Sequence, residues 1–177
     1  MTTSTLITER PKLGEYDPYY DRYISLILGN DLFGTLEKQL AKTVALFSSR
    51  SEAESDFRYA PGKWSLKEVL GHMNDTERIM AYRAMRIARG DRTPIEGFEQ
   101  DDYVAAANSN RRSTTELLVE LKSVRGATRT LLESLTTADS QRSGVANGNS
   151  ISVRALAYVI AGHAQHHLEL LRKQLAG

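Results

Sequence analysis

Apolar residues recur at steps of three and four along four stretches of this chain, the period of a helix with one buried face. The first stretch follows Asp31, a favourable N-cap, and carries Leu32, Leu36, Leu40, Val44 and Phe47. The second opens on Ser65-Leu66-Lys67-Glu68, the pattern of a capping box, with Trp64 and Val69 placed as a hydrophobic staple. Its stripe is Leu66, Val69, Leu70, Met73, Thr76 and Met80, and it reaches about Arg89, where Gly90 suits a C-terminal cap. A second capping box, Ser113-Thr114-Thr115-Glu116, opens the third stretch, with Leu117, Leu121, Val124, Thr128, Leu131 and Leu135 on one face. Ser152 is placed to cap the fourth, stapled by Ile151 and Leu156. Leu156, Val159, Ile160, His163, His167, Leu170 and Leu171 share its apolar face. No segment reads as a convincing strand. The expected fold is all-α, a four-helix bundle with longer crossover connections.

The pieces between the helices complete this picture. Residues 1–29 hold a Tyr-rich entry, Tyr16 to Leu28, expected as an N-terminal arm or short helix packed on the bundle, and 30–177 form a single bundle domain. The connection from Asp91 to Arg112 is polar, contains Pro94 and Gly97, and is long enough to suggest a functional loop. The connection from Thr136 to Ser150 contains Asn147-Gly148-Asn149 and is expected to turn tightly.

The chain has 177 residues, enough for one domain with a sizeable core. Its net charge of +1 gives no field that would favour nucleic acid as a partner. There is no cysteine, which removes disulfides, thiolate metal sites and a cysteine nucleophile. The N-terminus lacks the basic and apolar regions of a signal peptide, and no apolar run approaches the ~18 residues of a membrane span. A cytoplasmic protein is expected, with no nucleic acid and no membrane among its partners. Outer apolar positions such as Met85 and Ile87 suggest a homodimer.

Three of the four histidines change the reading from architecture to chemistry. His163 and His167 are four apart, which stacks two imidazoles on one helical face. His72 lies on the stripe of the second helix. Three imidazoles in one core fit two situations. Each can be a core residue with its own hydrogen-bond partner, or one divalent cation can satisfy all three together, leaving an open fourth position as in catalytic zinc sites. The pair lacks the glutamate that would make it a His-Glu-x-x-His motif. His166 is turned about 100° from His167, towards the mouth of such a site or towards solvent.

Gly62-Lys63-Trp64-Ser65-Leu66-Lys67-Glu68-Val69-Leu70-Gly71-His72, then Glu77-Arg78, Tyr82-Arg83-Ala84 and Arg89-Gly90-Asp91, then Gly162-His163-Ala164-Gln165-His166-His167 together resemble the DinB-like superfamily of DinB/YfiT-like metal-dependent hydrolases. The resemblance runs from about residue 15 to 175. It implies a bundle holding one divalent metal ion, most often zinc or nickel, and carries the ligand role to His72, His163 and His167. It leaves the reaction open, because relatives include thiol S-transferases that use bacillithiol or mycothiol as well as presumptive hydrolases. A low-molecular-weight thiol is therefore a candidate co-substrate, and relatives often pair as dimers.

Such a centre would activate water for hydrolysis or hold a thiol as thiolate for transfer. Asp75, roughly 60° from His72 on the helix, is the candidate catalytic acid-base or ligand-orienting group. Glu77, about 140° round, is expected to be structural. Arg83, Arg86 and Arg89 form a basic shoulder, either solvated and paired with nearby acids or an anion clamp. Trp64 reads as a core anchor or a stacking surface. Two classes of function follow: a metal-dependent hydrolase or thiol S-transferase on a small-molecule substrate, and a non-catalytic metal- or ligand-binding bundle. The absence of a fourth protein ligand favours the enzyme.

Overall fold

The helix-start chemistry in the sequence sets the frame of the computed structural model, which describes residues 7, 9–58 and 60–176. A 3₁₀ turn, Pro18–Tyr20, and a single helical turn, α1 (Asp21–Ile24), form the arm. The bundle proper begins with α2 (Leu32–Ser48), capped by Asp31, which accepts from the Gly34 amide at 2.9 Å. A short α3 (Glu52–Ser55) follows. Ser65 and Ser113 then open α4 (Leu66–Ala88) and, beyond the intervening connection, α6 (Thr114–Glu133). Both capping boxes are closed in both directions. A short α7 (Thr137–Gln141), two strands and the long α8 (Val153–Ala176) complete the chain. Ser152 accepts from the Ala155 amide at 3.1 Å, as its position suggested.

The four long helices pack as a bundle in which α8 is buried on every side from Val153 to Ala164. A helix apolar all round must be enclosed all round, and here α1, α2, α4 and α7 enclose it. The buried face of α2 is Leu32, Leu36, Gln39, Thr43 and Phe47, with Leu40 and Val44 only half-buried. Gln39 can face inward because its amide donates to the Ala161 carbonyl on α8 at 2.9 Å. Glu77 is structural, as expected, though its partner is Arg125 of α6. The two are buried, joined at 2.7–3.1 Å, and Arg125 also donates to the Leu36 carbonyl of α2. One ion pair thus ties three helices.

The structure corrects the sequence reading in four places. A two-stranded antiparallel hairpin, β1 (Ser143–Ala146) with β2 (Asn149–Ser152), occupies the connection expected only to turn tightly. Asn147 and Gly148, with φ of 50° and 74°, form its two-residue loop. The connection from Asp91 to Arg112 is also partly ordered into α5 (Gln100–Ala107) and a 3₁₀ turn. Ile95 pairs with the hairpin on both sides, donating to Val145 and accepting from Asn147. Ile87 packs in the core, so Met85 alone remains of the two outer apolar positions. Leu170 lies half-open at the C-terminal end of the α8 stripe. Of the arm, residues 1–6 and 8 lie outside the described residues. The remainder buries Tyr20, Ile24 and Ile27 and is fastened by Glu15 to Arg154 and Ser152 at the start of α8. Among the described residues no helix is long and apolar enough to cross a membrane.

Candidate metal centre

His72 stands on the second turn of α4, and His163 and His167 stand one turn apart on α8, where these two helices pack together. Their position along α8 falls between two apolar clusters, one ending at Ala161 and the other including Ala164 and Leu171. All three imidazoles are buried. Nε2 of His163 lies 3.0 Å from Nε2 of His72 and 3.1 Å from Nε2 of His167. Among the described residues this is the one cluster of three such side chains whose ligand atoms converge, all within 4.8 Å of one another.

The cluster is held from outside. The Trp64 ring lies 4.8 Å from the His72 ring, and Trp64 precedes the Ser65 cap that fixes the start of α4. Tyr23 of the arm sets its ring edge-on to His163 at 5.5 Å and to His166 at 5.6 Å. The arm can approach this closely because Gly162 has no side chain: a Cβ there would stand 2.9 Å from Cα of Tyr23 and nearer still to its carbonyl. Thr76 Oγ1 stands 3.5 Å from Nδ1 of His72, near enough to bias the ring towards presenting Nε2 to its neighbours.

Burial keeps these rings neutral. It lowers the pKa of His72 to about 4. The pKa of His167 falls to about 3, through burial first and the neighbouring His72 and His166 second. His163 is driven well below the ordinary histidine value, by burial and then by the other imidazoles. Neutral imidazole is the form that binds a metal. A ring nitrogen carries one proton or one lone pair, so Nε2 of His163 satisfies only one of its two close neighbours with good geometry. Nδ1 of His167 is buried without a hydrogen-bond partner among the described residues. Three nitrogens about 2.0–2.1 Å from a tetrahedral cation would stand ~3.3 Å from one another. The separations of 3.0 and 3.1 Å are within a few tenths of an ångström of that spacing. The residues present therefore fit a divalent metal.

Two cavities flank the cluster. One, of about 290 Å³, is reached by His72 and His163 and walled by the arm, by α4 and by Gly97 to Gln100 of the connection after α4. The other, of about 440 Å³, is reached by His167 and His166 and walled by Trp64, Lys63, Arg22 and Gln174. Tyr19, Tyr23 and Gln100 border both. The long connection thus does face the cluster.

Asp75 does not come to the cluster. It lines neither cavity and lies 3.5 Å from Arg78, with burial raising its pKa against the pull of that arginine. It belongs to the α4–α6 side of the bundle, where Arg78 also pairs with Glu120. The basic shoulder divides. Arg86 is bound to Asp91 at 2.5 Å, and Arg89 is the exposed C-cap of α4. Arg83 is buried in the wall of the smaller cavity. Sequence reasoning missed Glu99, the single carboxylate lining that cavity, as well as Tyr23 and Asn147. Glu99 is the N-cap of α5 but makes no capping hydrogen bond with its side chain. Nothing in the local sequence distinguished it from its acidic neighbours Asp101 and Asp102, because its placement depends on the pairing of Ile95 with the hairpin.

Comparison with known proteins agrees with this architecture. A model of the DinB superfamily matches residues 35–171. A protein of Geobacillus thermodenitrificans (strain NG80-2) named "Putative metal-dependent hydrolase" is 26% identical over 111 residues, which is 62% of this chain and 62% of that protein. This chain therefore aligns with less than two thirds of that relative's length. The solved structure of YfiT from Bacillus subtilis, described as a probable metal-dependent hydrolase with an unusual four-helix bundle topology, superposes with a TM-score of 0.74. The match covers 95% of this chain and 92% of that one at 17% identity, a likeness of fold.

Proposed function

The chain belongs to the DinB superfamily, and from that premise we propose that it is a metal-dependent hydrolase of a small-molecule substrate, its single divalent ion held by His72, His163 and His167. The observation that carries the reading is the convergence of three neutral imidazoles beside a cavity, with no fourth protein ligand among the described residues. An all-imidazole set suits zinc or nickel. When bound, such an ion would supply Lewis-acid polarisation and activation of water or a thiol.

The chain's own residues divide the remaining work. Trp64 packs on the His72 ring and Tyr23 on the His163 ring, which limits their rotation. Glu99, with a carboxylate free of ion pairs among the described residues, is positioned to take or return a proton in the smaller cavity. Arg83 and Asn147 line the same cavity and are available to orient the substrate. The relative named as a metal-dependent hydrolase supports the reaction class.

A second reading, thiol S-transfer, is favoured by one specific observation: two cavities reach different histidines of the cluster. A transfer between two substrates needs two approaches, whereas hydrolysis needs one and a water. The test is a panel of small esters, amides and electrophiles supplied to zinc- or nickel-loaded protein, with and without a low-molecular-weight thiol. Metal-dependent hydrolysis without thiol is the expected result. Turnover only with thiol would select transfer, and metal binding without turnover in either assay would select a non-catalytic binding bundle.

A further inference from the structure

Among the described residues four Lys and Arg side chains are buried in this bundle, and three of them have carboxylates. Lys67 meets Glu52 and Asp56, Arg125 meets Glu77, and Arg154 meets Glu9 and Glu15. Arg83, the most deeply buried of the four at 2% exposure, has none among the described residues. Its Nη2 donates to the Glu96 carbonyl at 2.8 Å, its Nη1 faces the Met80 sulfur at 3.8 Å, its Cζ lies 5.9 Å from the centre of the Phe98 ring, and its Nε has no hydrogen-bond partner among the described residues. A guanidinium does not lose its proton inside a protein, so this charge stays unbalanced in a place where desolvation is costly. Tyr20 lies against the same cavity within hydrogen-bonding reach of Arg83, but burial raises the pKa of its phenol, so it remains neutral and supplies no counter-charge, and Glu99, the one carboxylate among the described residues that line the cavity, forms no ion pair with Arg83.

The location gives the unbalanced charge a use. Arg83 lines the cavity that His72 and His163 also reach. Residues 72, 76, 80 and 83 follow one face of α4, and both Thr76 and Met80 lie in that wall between them. Eleven residues of helix rise about 16 Å, and the arginine leans back towards the helix start, leaving its charge on the order of 10 Å from the histidines. Met80, Phe98 and Val159 give the cavity wall an apolar portion.

We propose that Arg83 is the specificity residue of this site and binds a carboxylate of the substrate, so that the molecule acted on is a small carboxylic acid with an apolar body. This rests on the hydrolase reading for the meaning of "substrate", but the binding site itself does not require it. The bound carboxylate supplies the missing counter-ion through a charge-assisted pair with the guanidinium fork. Its apolar body lies along Met80 and Phe98, with the reacting group at the histidine end.

The test is a titration of the full chain with butyrate at constant ionic strength, followed by heteronuclear NMR at the Arg83 Nε–Hε signal. It is run on zinc-loaded and on metal-stripped protein. The expected result in both forms is a saturable shift of that signal and of amide signals around the cavity; the amide shifts are lost in Arg83→Met and report at least tenfold weaker affinity in Arg83→Lys, which keeps the charge without the fork. Amide signals around the cavity report binding in the variants. Arg83→Met is expected to melt no lower than the parent, since it removes an unbalanced buried charge; if it fails to fold, Arg83→Lys decides. No shift in the parent protein, unchanged affinity in the variants, or a shift confined to the zinc-loaded form would overturn the proposal. The last result would put the carboxylate on the metal. Metal content, measured on the same samples, reports separately on the hydrolase reading.

Discussion

Removing the metal should turn the three histidines into an acid-sensitive weakness, and the size of the effect follows from their burial. Folding carries His72 from an ordinary pKa of 6.5 to about 4. The folded chain therefore resists a proton that the unfolded chain accepts. The stability owed to this group is fully present above pH 6.5, falls as the pH drops below that value, and levels off near pH 4. The shift corresponds to ~3 kcal/mol. That is a large part of the roughly 5–15 kcal/mol by which a domain is usually stable. Carboxylates also titrate near pH 4, so the comparison must be with a variant that lacks only this imidazole. In His72→Leu, a buried side chain of similar size does not titrate. Urea denaturation of the two metal-stripped proteins at pH 7.5 and pH 4 reads the difference. The parent should lose about 3 kcal/mol more than His72→Leu across that interval. Stability curves that run parallel between the two pH values would refute the claim that His72 is held neutral by burial.

Other perturbations test other parts of the account. Glu99→Gln should lower kcat by about a hundredfold while metal content by elemental analysis stays at the parent level; unchanged kcat would remove Glu99 from proton transfer. Asp75→Asn should leave both turnover and metal content near those of the parent, because Asp75 lines neither cavity; a large loss of turnover would return it to the site. Gly162→Ala should destabilise the protein by about 1–3 kcal/mol in chemical denaturation, because its methyl would meet the backbone of Tyr23. A variant as stable as the parent would mean that the arm is free to move away from α8.

The bundle was legible from the sequence because its signals are local. Each capping box is four consecutive residues, and the stripes on α4 and α6 recur within the length of one helix. The histidine triad was legible for a related reason: helical period put His163 and His167 on one face, and His72 on a stripe that had to face the same core. The hairpin was not, because its strands are four residues long and its pairing depends on the Asn147-Gly148 turn and on Ile95, about fifty residues earlier. The same distance hid Glu99, which reaches the cavity through that long-range pairing. Asp75 shows the limit of angular arguments on one helix. It lies close to His72 in azimuth, yet the cavity opens towards Thr76, Met80 and Arg83, while Asp75 faces the charged side that includes Arg78 and Glu120.

The central claim, that three buried imidazoles exist to hold one divalent ion, is tested most directly by elemental analysis of the purified protein beside His163→Ala, after both are dialysed against equimolar zinc and nickel. His163 is the decisive position because its Nε2 is the one close to both other ligands. The account predicts one equivalent of metal per chain in the parent and almost none in the variant, with the variant still folded by circular dichroism. A parent chain that takes up no metal, or a His163→Ala chain that keeps full occupancy, would contradict it.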